Sequence, residues 1–176
     1  MLIDARSNAQ ESSRFATKGT TELGGNISFL SSTPVYDGNT GTATTMFSLS
    51  PFIGYFVSDG FEIGMDPLGI SLIGSSGQNT LTQITILAAP SYNFKTRGNG
   101  YPFIEGLFGY TSLSYGSSSN SGFSWGGRGG VKFAVTDKGL LNLAMQYMQI
   151  ALTPSGVSNR SGSNQLSISA GFTIWL

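Results

Sequence analysis

The chain has 176 residues, 10% of them charged and with nine basic residues balancing nine acidic ones, so it suits one domain but has few charges for a water-facing surface. The neutral balance argues against steering toward nucleic acid, and the lack of Cys and His excludes disulfides, thiolate metal sites and a His-based hydrolytic triad. We therefore predict a non-enzymatic protein with no catalytic residue, no metal site, no cofactor and no nucleic-acid partner.

The N-terminal segment, residues 1–18, is polar, mixed in charge and without periodicity. Ser7 and Ala9 have the spacing of small residues before a signal-peptidase cut, but no apolar stretch precedes them. We predict a flexible lead-in that is either the remnant of an export signal or a tag, followed by one domain over residues 19–176.

From residue 19 onward the chain repeats one unit, an alternating run of about a dozen residues followed by a connection. Successive residues of a strand point to opposite faces, so each run has one apolar face and one small or polar face. This pattern predicts strands rather than helices. The eight predicted strands are residues 20–30, 44–57, 61–73, 81–94, 101–115, 123–135, 141–152 and 165–176.

The third run changes phase in its middle. Its apolar face begins with Phe61, Ile63 and Met65 and continues with Leu68 beyond Pro67. Because proline cannot donate to a strand ladder, we predict a bulge or local break at residues 66–68.

Aromatic residues gather near one end of the predicted strands. We predict that they form a belt at a membrane interface, where aromatic rings are enriched. They are Tyr55, Phe61, Tyr92, Phe94, Tyr101 and Phe133.

The last run, residues 165–176, has the cleanest alternation. Leu166, Ile168, Phe172 and Ile174 occupy one face, and small or polar residues occupy the other. We predict that this strand pairs with both the first and the seventh run, because an open sheet edge is not tolerated in lipid.

The connections alternate in length. Residues 58–60, 95–100 and 136–139 are short, whereas residues 31–41, 74–80, 116–122 and 153–163 are mostly longer and rich in Ser, Gly, Asn and Thr. An even number of up-and-down strands with short turns at one end is the layout of an outer-membrane barrel with periplasmic termini. We predict an all-β fold, an eight-stranded antiparallel up-and-down transmembrane β-barrel with its longer loops outside the cell.

Ionisable residues within the runs fall on the polar phase. A basic residue on the lipid face near the midplane costs about 2–4 kcal/mol, whereas an interior charge can pair. We predict an interior polar network that plugs the barrel. The alternative, an ion or proton path, is opposed by Phe52, Phe56, Leu87 and Met148 on the same phase. The predicted network consists of Glu22, Glu62, Asp66, Glu105, Arg128 and Lys132.

Two segments and the C-terminus carry a family resemblance. Residues 51–64, Pro-Phe-Ile-Gly-Tyr-Phe-Val-Ser-Asp-Gly-Phe-Glu-Ile-Gly, residues 102–106, Pro-Phe-Ile-Glu-Gly, and the alternating last strand resemble the small OmpA/OmpX-like outer-membrane β-barrel proteins of Gram-negative bacteria. The resemblance covers about residues 19–176. It implies outer-membrane lipid and the barrel-insertion machinery as partners. The family typically ends in Phe, where this chain has Leu176; the implied insertion signal is Phe172, Ile174, Trp175 and Leu176.

Three functions fit these patterns. The first is a non-enzymatic structural component of the envelope, without a wide pore, whose surface loops bind partners. The second is a barrel subunit of a larger outer-membrane assembly, with a protein partner against outward glycines such as Gly106 and Gly127. The third is a soluble lipocalin-like lipid-binding barrel with the apolar phase inside, which the sparse charge of the other phase opposes.

Overall fold

The computed structural model describes residues 15–73, 81–115, 118–153 and 161–176. Within these residues ten strands form one antiparallel sheet, and no helix there is long and apolar enough to span a membrane. The strands are β1 (Thr21–Tyr36), β2 (Asn39–Thr40), β3 (Thr44–Ser58), β4 (Phe61–Ile73), β5 (Leu81–Ala88), β6 (Ser91–Asn93), β7 (Gly100–Tyr115), β8 (Ser118–Ala134), β9 (Gly139–Thr153) and β10 (Ser161–Trp175).

The sheet closes on itself to form a barrel. Strand β10 pairs with β1 from Glu22 opposite Trp175 to Tyr36 opposite Ser161, and its other edge pairs with β9. The predicted pairing of the last strand with the first and the seventh run is therefore confirmed.

Our prediction of eight strands is wrong, because the described sheet contains ten. The predicted run 81–94 is divided into β5 and β6, which pair with successive parts of β4 and β7. The division falls at Ala89 and Pro90, where proline has no N–H for the ladder. Strand β2 arises because the chain turns back on the end of β1 at Asp37 and Gly38, whose φ angles are 46° and 79°. Two consecutive positive φ values are typical of tight two-residue hairpins.

The predicted irregularity at residues 66–68 is confirmed. The register of β4 against β5 shifts between Asp66 and Gly69. Because the shift changes the phase of the strand, Ile63 and Leu72 are both exposed on the outer face, at 56% and 52%.

Two strands extend further than the apolar runs predict. Strand β1 continues to Tyr36 and β8 begins at Ser118, so much of the predicted connections 31–41 and 116–122 is strand. Hydroxyl contacts across the β7–β8 pair, such as the 3.2 Å contact of Ser112 with Ser119, support this extension. The predicted connection 74–80 and residues 154–160 of the last one lie outside the described residues.

The polarity of the barrel is the reverse of that of a water-soluble protein. The outward side chains Phe29 and Ile168 are 68% and 63% exposed, whereas the inward Gln165 and Thr173 are each 1% exposed. Large apolar residues cover the outside and polar residues are buried inside. A lipocalin-like barrel needs the opposite arrangement, so the structure does not fit that alternative.

Five of the six residues predicted for the aromatic belt are exposed on the outer face, but Tyr101 is only 3% exposed and points inside. The prediction for Tyr101 is wrong because it shares the phase of Glu105, which faces inward from the same strand. Inside the barrel, Tyr101 joins an apolar cluster at the end that carries the short turns, with Phe15, Ala16, Phe56, Leu140 and Trp175.

Candidate functional site

The six predicted interior residues all face inward in the structure. They are between 0% exposed, for Glu22, and 8% exposed, for Arg128. They extend from β1, β4, β7 and β8 and meet in two groups, one around Lys132 and one around Arg128. The two basic residues lie four positions apart on β8, so their side chains point to the same face of that strand.

The Lys132 group joins three strands. The Nζ atom of Lys132 lies 2.5 Å from Oε2 of Glu22 on β1 and 3.4 Å from Oε2 of Glu62 on β4. Strands β9 and β10 separate β8 from β1, and β7 lies between β8 and the β5–β6 pair that adjoins β4. These ion pairs therefore cross the lumen rather than link neighbouring strands.

Neutral groups donate further hydrogen bonds to the two carboxylates, although Oε1 of Glu62 accepts none from the described residues. The hydroxyl of Thr173 donates to Oε1 of Glu22 at 2.7 Å. The hydroxyl of Ser91 and the amide of Asn93 donate to Oε2 of Glu62 at 2.9 Å and 3.2 Å. Buried carboxylates need such partners, because an unpaired buried charge costs several kcal/mol.

The Arg128 group lies four residues before Lys132 on β8. Its guanidinium contacts Oε1 of Glu105 at 2.5 Å and the two carboxylate oxygens of Asp66 at 3.3 Å and 3.5 Å. Glu105 is opposite Arg128 on the neighbouring strand β7, whereas Asp66 reaches it from β4. A planar guanidinium can hold two carboxylates in this way because its N–H groups form a rigid fork.

A glycine provides the space for the Lys132 group. Gly54 on β3 is opposite Glu22 in the ladder, and a methyl group at Gly54 would overlap Oε1 of Glu62. The inward glycine on β3 is a signal for a bulky interior side chain nearby, although it does not identify that side chain.

A layer of neutral polar side chains, which we did not predict, lies on the side of the Arg128 group that faces away from Lys132. The amides of Gln83 on β5 and Gln165 on β10 bond to each other at 2.7 Å and 3.3 Å across the lumen, and Thr111 contacts Thr85 and Ser124 at 3.1 Å and 2.6 Å. The layer borders a cavity of about 50 Å³, which has room for a few water molecules. The signal was present in the sequence as hydroxyl and amide residues on the inward phase.

Phe15 is also an interior residue that we did not predict. Three aromatic rings, those of Phe15, Phe52 and Phe103, have their centroids 5.4 Å, 5.5 Å and 5.2 Å from Nζ of Lys132. Such distances allow cation–π attraction. Phe15 belongs to the segment predicted as a flexible lead-in; the division of the chain at residue 18 stays a prediction, and residues 1–14 lie outside the described residues.

The predicted insertion signal is split between the two faces of β10 and its end. Phe172, Ile174 and Leu176 are 49%, 42% and 60% exposed on the outside, whereas Trp175 is 8% exposed and faces the lumen. Leu176 is held by paired backbone bonds to Thr21 at 2.9 Å and 3.0 Å. The arrangement does not test recognition by an insertion machinery, so that role stays a prediction.

The interior side chains pair acidic groups with basic groups. Among the described residues no group of three or more acidic side chains is placed to hold a metal ion. The interactions within the lumen are ion pairs and hydrogen bonds between opposite parts of the barrel wall.

Comparison with solved structures identifies the fold. No protein-family model and no curated relative matches the chain. Neisserial surface protein A has a similar structure, with a TM-score of 0.70 and 17% identity over 89% of this chain and 99% of that one. The outer membrane protein OprG from Pseudomonas aeruginosa matches with a TM-score of 0.58 and 17% identity over 91% and 97% of the two chains. The outer membrane protein AlkL in lipid bilayers matches with a TM-score of 0.58 and 16% identity over 91% of each chain. The chain thus has the fold of the small outer-membrane β-barrel proteins.

Proposed function

We propose that this protein is a non-enzymatic, integral structural component of the outer membrane of a Gram-negative bacterium. The observation that carries the proposal is the reversed polarity of the barrel. Outward residues such as Ile104 and Ile168 are 60% and 63% exposed, while Glu22 and Glu62 are fully buried inside. A contiguous apolar outer face of this kind suits contact with lipid.

The lumen has no wide pore in this proposal. Support comes from the ion pairs of Lys132 and Arg128, which cross the space between non-adjacent strands. Further support comes from the amide pair of Gln83 and Gln165, which crosses it at a second level. The barrel acts through its wall and its surface loops rather than by conducting solutes.

The proposed orientation follows from the connections. Short turns such as that between β3 and β4 face the periplasm, as do the start of β1 and the end of β10. The longer connections face the outside of the cell, where they bind partners. Outer-membrane lipid surrounds the barrel wall, and the barrel-insertion machinery recognises the last strand during biogenesis.

Expression in a Gram-negative host behind an export signal tests this function. We expect the protein to sediment with outer-membrane fractions and to run faster on a denaturing gel when unheated than after boiling. Recovery from the soluble periplasm would contradict the proposal. In planar bilayers we expect no stepwise conductance, and regular channel openings would contradict the structural role.

A second candidate function is that of a barrel subunit in a larger membrane assembly. Gly106 and Gly127 face each other in the β7–β8 register. A methyl group at Gly106 would meet nothing within 4 Å, and one at Gly127 would meet only the backbone oxygen of Glu105, at 3.5 Å. Next to them a shallow outer groove of about 470 Å³ is lined by Pro90, Tyr92 and other residues. Because the two glycines have no side chain, the wall beside this groove permits close approach of another protein.

Purification from native membranes in mild detergent separates the two candidates. A stoichiometric partner that is lost on substitution of Gly127→Leu would favour the assembly. A single barrel that purifies without a partner would favour the first function.

A further inference from the structure

A short segment before the first strand enters the end of the barrel. Phe15 and Ala16 are fully buried although neither belongs to the sheet. The ring of Phe15 lies 5.3 Å from that of Phe56 and 4.9 Å from that of Tyr101, with interplanar angles of 81° and 75°. Edge-on contacts at these distances are favourable for aromatic pairs. We call residues 15–19 the strap.

Phe15 fills the space between wall residues on different strands. Phe56 extends from β3, Tyr101 from β7, Leu140 from β9 and Trp175 from β10, and all belong to one buried cluster with Phe15. The wall residues are fixed by the strand ladders around the whole circumference. Phe15 belongs to no strand and joins the barrel through the strap, so its ring can leave this cluster without breaking a ladder.

Hydrogen bonds to residues at the turn between β3 and β4 hold the strap in place. The N–H of Gly19 donates to the carbonyl of Phe56 at 2.8 Å, and the N–H of Gly60 donates to the carbonyl of Ala16 at 2.9 Å. The N–H of Lys18 donates to Oδ1 of Asp59 at 2.9 Å, in an exposed position. Ala16 has a φ of 59°, a conformation that is uncommon for residues other than glycine. The strap thus lies outside the strand ladders and contains one strained backbone position.

The ring lies directly on the interior charge network. Nζ of Lys132 is 5.4 Å from the centroid of the Phe15 ring and 2.5 Å from Oε2 of Glu22. The Phe15 ring therefore lies between this end of the barrel and the charges around Lys132.

We propose that Phe15 is a detachable stopper and that release of the strap admits water and small ions from the short-turn end to the network of Lys132, Glu22 and Glu62. The stopper is a property beyond the structural role in the envelope. It is tested on the folded barrel in detergent, so the outcome does not depend on where the protein is located in the cell.

Thiol labelling measures access to the network, because the natural chain has no Cys. Ala144 lies beside Glu22 and Lys132 in the lining of a small interior space and is 9% exposed. In the full chain with Ala144→Cys, we expect a small cationic methanethiosulfonate reagent to react slowly. Adding Phe15→Ala should raise the rate at least tenfold, and Phe15→Leu, which keeps most of the bulk, should raise it less. Equal rates with and without Phe15→Ala would overturn the proposal.

A matched site separates opening of one end from general loosening. Ile150 is 3% exposed in the other interior cluster, away from the strap. With Ile150→Cys as the reporter, Phe15→Ala should leave the labelling rate within twofold, and an equal increase at both reporters would count against a stopper.

Detachment is tested without changing the ring. Asp59→Ala removes the exposed acceptor of the Lys18 N–H and leaves Phe15 intact. If the strap opens and closes, labelling of Ala144→Cys should become at least threefold faster in this variant. An unchanged rate would show that Phe15 is a fixed part of the core and would contradict a detachable stopper.

Discussion

Lys132 on β8 and Glu22 on β1 form an ion pair of 2.5 Å across the lumen, between residues 110 positions apart in the chain. Their strands do not pair with each other, because β9 and β10 lie between them. The contact therefore exists only when β1 and β10 have closed the barrel. It makes the interior charges a lock on the closed sheet, since opening the β1–β10 seam would move Glu22 away from Lys132.

Removal of the lysine should destabilise the barrel strongly. Lys132→Met leaves Glu22 and Glu62 buried without their cation, and loss of one partner of a buried ion pair typically costs about 3–5 kcal/mol. We expect a loss of this size in the free energy of unfolding, measured by urea titration in lipid vesicles. Lys138→Met is the control, because Lys138 is exposed in a turn, and it should change stability by less than about 0.5 kcal/mol.

The double variant Lys132→Met with Glu22→Gln distinguishes loss of a charge partner from loss of packing. Removal of one stranded carboxylate should recover part of the lost stability. If the double variant is as unstable as the sum of the two single variants, the pair does not act as a lock.

Two consecutive glycines on β8 should respond in opposite ways to alanine. A methyl group at Gly126 would overlap the backbone oxygen of Tyr147, whereas at Gly127 it would come no closer than 3.5 Å to the backbone oxygen of Glu105. We expect Gly126→Ala to lower the free energy of unfolding by about 1–3 kcal/mol, as overpacking does. Gly127→Ala should be neutral or stabilising by up to about 1 kcal/mol. The same urea titration measures both, and equal losses would show that the two faces of β8 are wrongly assigned.

The strap should be sensitive to strong acid through Asp59. The N–H of Lys18 and the ammonium group of Lys95, 3.2 Å away, lower the pKa of Asp59 below its usual value. A lowered pKa in the folded state stabilises the fold above the usual aspartate pKa of about 3.9, and this contribution is lost as the pH falls through the lowered value.

Nuclear magnetic resonance titration of the Asp59 carboxyl checks this dependence. We expect its midpoint below about 3.9, with Lys95→Met moving it upward toward that value. A midpoint at or above the usual value would mean that the carboxylate does not hold the strap.

The inward charges could be predicted from the sequence because burial in a barrel follows a period of two. Each of Glu22, Arg128 and Lys132 lies on the phase that opposes the large apolar residues of its strand. The partners could not be predicted, since the pairing of Lys132 with Glu62 depends on the register of several strands and on the bulge near Asp66. Alternation identifies a face but contains no information about which residues meet across the lumen.

Three features escaped prediction for physical reasons. The break at Pro90 divides a run whose alternation continues unchanged, so periodicity alone did not reveal it. A serine-rich stretch that begins at Ser118 extends β8 beyond the apolar run, because the backbone hydrogen bonds between strands do not require apolar side chains. Phe15 precedes all periodicity, and its burial results from tertiary contacts with Phe56 and Tyr101.

The last residue should affect insertion more than stability. Leu176 is 60% exposed on the outer face, and a carboxylate there would enter the region that faces lipid. We expect Leu176→Asp to reduce the amount of heat-modifiable protein in the outer membrane several-fold. Leu176→Phe, which has the usual ending of the barrel family that the sequence resembles, should equal or exceed the unsubstituted chain. An undiminished level of Leu176→Asp would remove this residue from the insertion signal.

Spin labels along β10 test the central claim, that the apolar phase faces lipid, most directly. Cysteines introduced singly at Leu166, Ile168 and Phe172, and at Ser167 and Ser169 between them, would carry nitroxides in a barrel reconstituted in bilayers. We predict that labels at the first three collide mainly with oxygen, which concentrates in lipid, whereas labels at Ser167 and Ser169 collide little with oxygen or with a water-soluble nickel chelate. Frequent collisions of the first three with the nickel chelate would place the apolar face in water and contradict the account.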